Sequence, residues 1–551
     1  MLSRIIQFSL ANKLIIFLFT TAIAVVGLFS ISQIPFGVVP DITNNQVQVI
    51  TTSTSLSTQD IEQFITYPVE LEMSNLPGVK EIRSVSKFGL SVVTVVFEDD
   101  MGTYLPRQLL AEKINAAAEK IPQEFGRPEM GPITTGLGEI YQYIIDVKPG
   151  FEDRYTLMEL RTIQDWIVRR QLSGIPGVVE VNSWGGLLKQ YEVAIKSEQL
   201  AAKKITITQV MDALENNNSV AGGGYIEKAN QSYFIRGDGL VNNLEDIENI
   251  VVENRNGTPI FIRDIAKVGF GSANRFGATT ANGQGEKVLG QVMMLKDANS
   301  NKVINAVQQR VEEIQSTLPE GVFINGFLDR STLIDKTTFT IGENLILGCL
   351  IVIFVVVLLL GNFRSGLVVA SVIPLSLLFA ISLMNIFGVD ANLMSLGAID
   401  FGIIIDGAVI IVEFIAFQMT KSVNKLNGLS KEELQTEKDA ITLMSANKMM
   451  SSAVFGQIII LIVFIPIFSL AGVEGKMFQP MALTFSFALI GTMVLCFTYV
   501  PAISSILIKP DVVGKPNFSK RLNNWLANQY EHFLTRALSH KKAILTVASA
   551  I

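Results

Sequence analysis

Residues 392–417 read NLMSLGAIDFGIIIDGAVIIVEFIAF, a strongly apolar stretch that carries Asp400, Asp406 and Glu413. The stretch exceeds the roughly 20 residues that a helix needs to cross a bilayer, so we predict a membrane-spanning helix. Each ionised carboxylate at membrane depth costs about 2.5 kcal/mol or more. Three of them in one span therefore indicate a function rather than a role in packing.

The spacing of these acids predicts their arrangement. At about 100° per residue, Asp406 and Glu413 lie within about 20° of each other and about 10 Å apart along the axis, whereas Asp400 is offset by about 120°. We expect Asp406 and Glu413 to lie on one interior face of the helix, with Asp400 beside that face. Burial and neighbouring like charges make a carboxyl group hold its proton to higher pH, so that it exchanges protons near neutral pH. The three acids are thus the predicted proton relay.

Two other roles for the acids stay open. They could pair with basic residues in a purely structural role, or they could bind a cation directly. Protons are favoured because no His, Cys or Met cluster accompanies the acids to complete a transition-metal site. Gly402, Gly407 and Ala408 are small and would let another helix approach this span closely.

The composition also indicates a membrane protein. Of 551 residues, 49% are hydrophobic and 17% are charged, which is too apolar for an ordinary soluble enzyme. The net charge of −6 and the lack of a basic arm argue against nucleic acid as a partner. Cys349 and Cys496 lie in separate apolar runs and are expected to be buried apolar residues. We expect no cofactor and no enzymatic activity, because nucleophile-elbow, phosphate-loop and zinc-protease motifs are missing.

Hydropathy divides the chain into membrane spans and one long polar insertion. The first span, at 14–34 within a segment 1–34, is too long for a signal core and has no clear cleavage site, so an uncleaved helix is favoured over a signal peptide. Five more spans are predicted within 332–508, at 344–361, 366–387, 392–417, 451–471 and 479–508. Residues 509–542 are expected to form an amphipathic connector, and 543–551 to begin a seventh span that the sequence leaves incomplete.

Lys and Arg residues predict the orientation of the spans, since cytoplasmic loops carry the excess. They concentrate in 1–13, at the turn with Arg364, across 418–450 and after Lys509, whereas the opposite loops carry only Lys476. The N-terminus is therefore predicted to be cytoplasmic, and 35–331 to lie outside. The charged loop 418–448 is expected to be a solvated cytoplasmic connector.

An internal repeat organises the predicted outer region. LPGV at 76–79 leads into KEIRSVSKFGLSVVTVVFE, and IPGV at 175–178 leads into VEVNSWGGLLKQYEVAI. Strands and helices flank both copies in the β-α-β-β-α-β order of a split βαβ unit. We predict two subdomains, 35–132 and 133–331, the second interrupted at about 217–274 by Gly-rich, strand-forming sequence. Convergent Pro-Gly turn chemistry is the alternative explanation.

Several stretches resemble the heavy-metal efflux branch of the resistance-nodulation-division (RND) transporters, of the Czc and Cus types. They include PDITNNQVQVITTSTSLSTQDIEQFITYPVELEMSNLPGVKEIRSVSKFGLSVVTVVFED, GNFRSGLVVASVIPLSLLFA and the DFGxxxDGAxxxxE pattern at 400–413. The resemblance implies that Asp400, Asp406 and Glu413 carry the proton current, and Phe414 stands where Asn is usual. Members are about twice as long, so the sequence is interpreted as an N-terminal half: a fragment, part of a split gene, or an engineered piece.

The resemblance implies the architecture and the partners. The fold would be an α-helical membrane protein with a periplasmic α+β insertion, made of two ferredoxin-like porter subdomains and a small β-rich docking insertion. The protein would lie in the lipid of the bacterial inner membrane as a homotrimer, with a periplasmic adaptor (membrane fusion protein) and an outer-membrane channel. It would exchange protons for a metal cation of the Zn, Co, Cd and Ni class. Efflux of Cu(I) or Ag(I), efflux of organic compounds, and an inactive or scaffolding half-transporter are the alternatives.

Candidate metal ligands are few. His532 and His540 lie in the predicted connector at a spacing that is unusual for ligands. Glu124, Glu129 and Glu139 could help to coordinate a cation, although solvation at the surface is favoured. Methionines could pass on Cu(I) or Ag(I), and the candidates are Met394, Met444, Met449, Met450, Met477, Met481 and Met493. The metal-binding residues therefore stay unassigned.

Overall fold

The computed structural model describes residues 2–37, 39–53, 56–255, 257–275, 277–397, 401–426, 429–509 and 518–550. The chain divides into two compact units. Unit 1 contains Met1–Gly138, Leu295–Ile304 and Arg330–Ile551, and unit 2 contains Glu139–Met294 and Asn305–Asp329. Each unit has buried apolar clusters of its own.

Unit 1 begins with two helices, α1 (Leu2–Ala11) and α2 (Lys13–Ile31). Helix α2 is long and apolar enough to cross a membrane and overlaps the predicted span at 14–34. A two-residue strand, β1 (Phe36–Gly37), follows directly.

The first α+β fold of unit 1 comes next along the chain. Its elements are β2 (Gln46–Thr52), α3 (Thr58–Ile61), α4 (Tyr67–Met73), β3 (Val79–Lys87), β4 (Leu90–Phe97), α5 (Tyr104–Lys120) and β5 (Glu129–Met130). The strands form one antiparallel sheet in the order β3-β4-β2-β5. Alternate residues of β2 and β4, such as Val47 and Val95, point into a core that Ile65 and Leu110 of the helical side complete.

Unit 2 repeats this plan with additional elements inside it. In chain order they are β6 (Glu139–Val147), α6 (Leu157–Ile163), α7 (Arg169–Leu172), β7 (Val178–Trp184), β8 (Lys189–Ile195), α8 (Ser197–Lys203), α9 (Ile207–Asn216), β9 (Ser219–Lys228), β10 (Gln231–Gly239), α10 (Leu244–Glu248), β11 (Val251–Arg255), β12 (Thr258–Phe261), β13 (Ala266–Ser272), β14 (Val288–Met294), α11 (Ser300–Gln315) and β15 (Val322–Asp329). The main sheet has the order β15-β6-β14-β7. Numbered within each fold, the strands of both sheets follow the same order, 4-1-3-2, as expected for two β-α-β-β-α-β units.

The inserted part of unit 2 begins earlier than the sequence predicted. Strand β7 pairs with β14, whereas β8 pairs antiparallel with β13, so β8 lies outside the main sheet. The prediction of an interruption at 217–274 treated 189–195 as part of the repeat, and this is wrong. The two glycines after Trp184, both at positive φ (71° and 68°), turn the chain away from a simple hairpin.

The inserted part also carries a free-standing hairpin. Among the described strands, β9 and β10 pair with each other and with no third strand, and every residue of β10 is exposed. Ala229 and Asn230 at its tip have φ of 53° and 59°, the positive values that a tight hairpin turn requires.

The remainder of unit 1 is helical. Its elements are α12 (Ser331–Leu360), α13 (Phe363–Phe387), β16 (Ala391–Asn392), α14 (Leu393–Gly397), α15 (Phe401–Lys421), α16 (Val423–Leu426), α17 (Lys431–Phe464), α18 (Gly472–Phe497), α19 (Tyr499–Leu507), α20 (Phe518–Ser539) and α21 (Lys541–Ala550). By length and composition, helices that could cross a membrane include Lys13–Ile31, Ser331–Leu358, Phe363–Phe387, Lys431–Ser469 and Gly472–Phe497. Helices α20 and α21 occupy the predicted connector and seventh span, of which 510–517 and Ile551 lie outside the described residues.

Two sequence-based expectations are wrong in this region. The segment 418–448 is not a solvated loop throughout, because α17 begins at Lys431, where Ser430 and Glu433 form a capping box. This helix buries Lys438 and Thr442 on one face. The predicted span 479–508 is two helices, which meet at Thr498. Pro501 has no N–H group, which suits it to the first turn of α19 and not to the interior of a longer helix.

Candidate functional site

Helix α15 carries two of the predicted relay residues, Asp406 and Glu413, on a single exposed stripe. The stripe also contains Ile410, which is 38% exposed, and Phe417, which is 59% exposed. Positions 406, 410, 413 and 417 recur every three or four residues, so they share one helix face. We call these four residues the acid stripe. Asp400 lies outside the described residues, and its place beside the stripe stays a prediction.

The opposite face of α15 is fully packed. Residues at the complementary helical positions are at most 9% exposed, namely Ile404, Ile405, Ala408, Ile411, Val412, Ile415, Ala416 and Met419. This face contacts α13, α17, α18 and α19. The same helix is thus apolar and anchored on one side, and open and acidic on the other side. The sequence predicted an interior position for the acids, but within the described chain no helix covers the stripe.

The small residues of α15 lie in different surroundings. Gly407 is buried, and a Cβ added there would come within 2.7 Å of the Gln457 Nε2 on α17 and 3.6 Å of the Cys496 Sγ on α18. Ala408 is fully buried. Gly402, by contrast, is exposed. The close helix approach therefore occurs at Gly407, the residue next to Asp406 in the chain.

Gln457 is a polar neighbour of the site that sequence reasoning missed. It is 3% exposed, and its Nε2 is without a hydrogen-bond partner among the described residues. Its signal in the sequence was a lone amide in the apolar run VFGQIIILIVF at 454–464. A buried amide in such a run costs free energy, so it indicates a functional or packing role at this position.

Phe414, the residue after Glu413, lies close to a positively charged side chain. The Lys448 Nζ of α17 lies 5.3 Å from the centre of the Phe414 ring, within the range of a cation–π contact. Within the described residues Glu413 forms no ion pair. The ring thus holds a positive charge close to the acid stripe without neutralising it.

Unit 1 also contains a cavity of about 570 Å³ at the C-terminal end of α13 and the N-terminal end of α18. Its lining includes four acids and two lysines, namely Asp41, Asp99, Asp297, Asp390, Lys296 and Lys476. Burial, together with the nearby Asp297 and Asp41, raises the pKa of Asp390. The charges leave a negative lining.

Lys476 ties this end of α18 to the first α+β fold. Its Nζ donates hydrogen bonds to the Asp99 Oδ1 at 2.6 Å and to the Thr43 carbonyl at 2.8 Å. Burial alone would raise the pKa of Asp99, but the hydrogen bond and the charge of Lys476 lower it below its usual value. Lys476, the lone basic residue of the predicted outer loops, therefore connects α18 to Thr43 and Asp99.

No group of three or more His, Cys, Asp or Glu side chains is arranged to hold a metal ion in the part of the chain that the structure describes. Cys496 is buried and Cys349 half-buried, and both are free thiols. The candidate ligands His532, His540, Glu124, Glu129 and Glu139 are all exposed. Of the methionines, Met450 lies in the core of the helical bundle, against which Met449 and Met493 pack, whereas Met444 is 56% exposed.

Comparison with known proteins agrees with this arrangement of a helical bundle and α+β folds. The AcrB/AcrD/AcrF family matches residues 5–551. The chain belongs to this family. A crystal structure titled as a heavy metal efflux pump superposes with a TM-score of 0.83 at 32% identity, covering 99% of this chain and 51% of that one.

Two curated relatives align with this chain over its whole length. The cation efflux system protein CzcA of Alcaligenes sp. (strain CT14) is 43% identical over 100% of the chain and 51% of its own length. The cation efflux system protein CusA of Escherichia coli (strain K12) is 34% identical over 100% of the chain and 52% of its own length. The chain thus spans about half the length of these relatives. The resemblance to heavy-metal efflux RND transporters is confirmed.

Proposed function

We propose that this chain supplies the proton-coupling helix of an inner-membrane pump that exports heavy-metal cations. The observation that carries the proposal is the acid stripe of α15, where Asp406 and Glu413 share one face of a helix whose other face is packed into a bundle of apolar helices. An ionised carboxylate in contact with lipid costs about 2.5 kcal/mol or more, so the stripe is expected to face protein or a water-filled space. In the full pump, further helices would cover it.

Coupling would follow from the charge of the stripe. When both carboxyl groups are ionised, they attract a basic residue on a covering helix, and protonation removes that attraction. Since the other face of α15 is held against α13, α17 and α18, a shift of α15 moves its neighbours with it. Protons that bind on one side of the membrane and leave on the other would then drive the cation in the opposite direction.

The proposed cargo is a divalent cation of the zinc, cobalt, cadmium and nickel class. A relative named as a cobalt-zinc-cadmium resistance protein, from Cupriavidus metallidurans, is 43% identical, and one named for nickel and cobalt resistance is 37% identical. The protein named CusA is more distant, at 34%. Export of Cu(I) or Ag(I) along methionines is the second candidate, and export of organic compounds is the third.

The proposed architecture assigns a role to each α+β fold. The two four-stranded sheets would be periplasmic porter subdomains, and the β8–β13 region would be a docking insertion. Assembly as a homotrimer with a periplasmic adaptor and an outer-membrane channel is proposed from the family. The cation would leave through that channel.

The test replaces the stripe acids in the full-length gene product of a metal-sensitive host. Asp406→Asn and Glu413→Gln keep size and shape but remove the exchangeable proton, so resistance to zinc, cobalt and cadmium salts should be lost while the protein still reaches the membrane. Glu432→Gln, an exposed acid in the first turn of α17, is the matched control and should keep full resistance.

The same strains distinguish the candidate cargoes. Growth is compared on salts of zinc, cobalt, cadmium, nickel, copper and silver, and on dyes and detergents. Loss of protection against dyes alone would move the proposal to organic-compound efflux. Full resistance in Asp406→Asn would refute the relay, and an unmodified chain that protects against nothing would favour the scaffolding alternative.

A further inference from the structure

Lys438 is a buried cation near the start of α17. Its side chain belongs to a residue that is only 6% exposed. Among the described residues its Nζ donates one long hydrogen bond, to the Ser505 carbonyl of α19 at 3.4 Å, and forms no ion pair. An ammonium group can donate three hydrogen bonds, and burying its charge without a counter-charge costs free energy. The surroundings of Lys438 therefore favour a negatively charged partner.

The charges around Lys438 are mostly positive. The charged groups that act on its ammonium group are those of Lys509, Arg364, Lys13 and Asp439. The carboxylate of Asp439 is already used, because its two oxygens accept hydrogen bonds from the Lys13 Nζ at 2.7 and 2.8 Å. Four cations and one acid leave a net charge of +3. We call the four cations, Lys13, Arg364, Lys438 and Lys509, the basic cluster.

The basic cluster has a buried part and an exposed part. Lys438 is buried and Lys13 is half-buried, whereas Arg364 and Lys509 are exposed. The four residues come from separate parts of the chain, and α19 contacts both α13 and α17 here. The cluster thus combines a buried charge that lacks an ion pair with two charges that a ligand can reach from outside.

The position of the cluster indicates which anion it meets. Lys13 is the first residue of α2 and Arg364 the second residue of α13, and both helices are long and apolar enough to cross a membrane. The Lys and Arg pattern predicts that these helix ends are cytoplasmic. Basic groups between membrane helices at this level bind the headgroups of acidic phospholipids. Phosphate oxygens accept charge-assisted hydrogen bonds from both Lys and Arg.

We propose that the basic cluster binds the phosphate of an acidic phospholipid headgroup at the cytoplasmic surface of the membrane. Lys438 supplies the buried charge, and Arg364 and Lys509 supply the exposed charges. A zwitterionic headgroup fits less well, because the net positive charge of the cluster repels its ammonium group. A bound acidic lipid would hold α17 against α13 and α19. The inference is independent of the proposed proton relay and of the cargo.

Lipid binding is tested on the full-length gene product, delipidated in an uncharged detergent. Native mass spectrometry gives the dissociation constants of phosphatidylglycerol and of phosphatidylcholine with the same acyl chains. Phosphatidylglycerol should bind more than about tenfold more tightly, and it should raise the unfolding temperature. Inorganic phosphate at the same concentration should not raise it, because it lacks the acyl chains that hold the lipid at the site.

Four variants test the cluster. Arg364→Gln and Lys509→Gln each remove one exposed charge and should weaken the binding of phosphatidylglycerol about fivefold. Lys541→Gln removes an exposed lysine at the start of α21 and is the matched control, which should change binding little. Lys438→Met keeps the length of the side chain and should abolish the preference for the acidic lipid. Without lipid it should be at least as stable as the parent, since a buried charge without an ion pair is removed.

The outcomes decide both the site and the source of the phosphate. Equal affinity for the two lipids would overturn the proposal, as would equal losses in Arg364→Gln and Lys541→Gln. Equal stabilisation by inorganic phosphate and phosphatidylglycerol would overturn the assignment to a lipid. If Lys438→Met does not fold, Arg364→Gln and Lys509→Gln still give the answer. No readout depends on metal transport, so failure of the proposed function would leave these results unchanged.

Discussion

The two α+β folds, one in each unit, share a polar detail as well as their strand order. In both, the helix that follows the first strand contains a π-helical turn, Glu62–Thr66 in unit 1 and Gln164–Val168 in unit 2. Each turn buries one polar residue against the sheet, Thr66 at 1% exposure and Gln164 at 0%. A π-helical turn is rare, so its occurrence in the corresponding helix of both folds is better evidence for a repeat than Pro-Gly turns are.

The two polar contacts use different chemical groups. The Thr66 Oγ1 lies 2.8 Å from both the Ser86 Oγ and the Ser91 Oγ. The Gln164 amide accepts a hydrogen bond from the Tyr143 hydroxyl at 3.0 Å and donates one to the Ser183 Oγ at 3.2 Å. Burial raises the pKa of Tyr143, which keeps that hydroxyl protonated as a donor. Each network thus joins three side chains through two hydrogen bonds, but the one in unit 2 contains a fully buried amide and a fully buried phenol.

The connection between the second and third strands also differs. In unit 1, β3 and β4 are joined by a tight turn at Phe88 and Gly89. In unit 2 the same connection holds everything from Gly185 to the start of β14. Both sheets nevertheless have the same strand order. The order of the strands therefore depends on how the strands pair and pack against the helices, and a short connection between the second and third strands is not required.

The largest effect is expected for Gln164→Leu. The change leaves the buried Tyr143 hydroxyl and the Ser183 hydroxyl without their partner, so the free energy of local unfolding in unit 2 should fall by about 2–3 kcal/mol. Hydrogen exchange of the intact chain in detergent, read in peptides from β6, β7 and β14, measures this. Gln199→Leu, at an exposed position of α8, should change it by less than about 0.5 kcal/mol. Equal effects would show that the amide network is dispensable.

A smaller effect is expected for Thr66→Val in unit 1. The substitution keeps the shape of the side chain and removes one hydroxyl, so exchange in β3 and β4 should report a loss of about 1 kcal/mol. Thr52→Val, at an exposed position of β2, is the matched control. A loss larger than that of Gln164→Leu would reverse the ranking of the two contacts.

The smallest effect is expected at the ion pair of Lys287 with Asp146. Their side chains are 17% and 19% exposed, and Nζ to Oδ1 is 2.8 Å. Lys287→Met should therefore cost unit 2 about 1 kcal/mol or less. Strand β2 of unit 1 contains no charged residue, so this ion pair has no counterpart on the first strand of the other fold.

The pH dependence of this pair has a defined sign. Burial alone would raise the pKa of Asp146, but hydrogen bonds and the charge of Lys287 lower it. A lowered carboxyl pKa adds stability above the unfolded value, about 4, and this is lost as pH falls through the folded value. The difference between the parent and Lys287→Met in hydrogen exchange, corrected for the intrinsic rate at each pH, should therefore shrink in acid. A difference that grows in acid would contradict the assignment.

The sequence supported some parts of the fold and the site better than others. Period-two and period-3.6 patterns located the strands and helices of both α+β folds, and the DFGxxxDGAxxxxE pattern located α15, because these signals are local. The partner of β8 was missed because pairing with β13 is a long-range choice that alternation along one strand does not encode. The contact between Gln457 and Gly407 was missed for the same reason, since it depends on how α17 packs against α15.

The short parallel ladder between β1 and β16 has a consequence for biogenesis. Phe36 pairs with Ala391, and Gly37 with Asn392. Roughly 350 residues separate the partners, so at about 5–20 residues per second the ribosome needs about 20–70 s to deliver the second strand after the first. Both α+β folds are synthesised in that interval and have time to fold first. The ladder is then a late closure step, which can form only after the helices α12 and α13 have been synthesised.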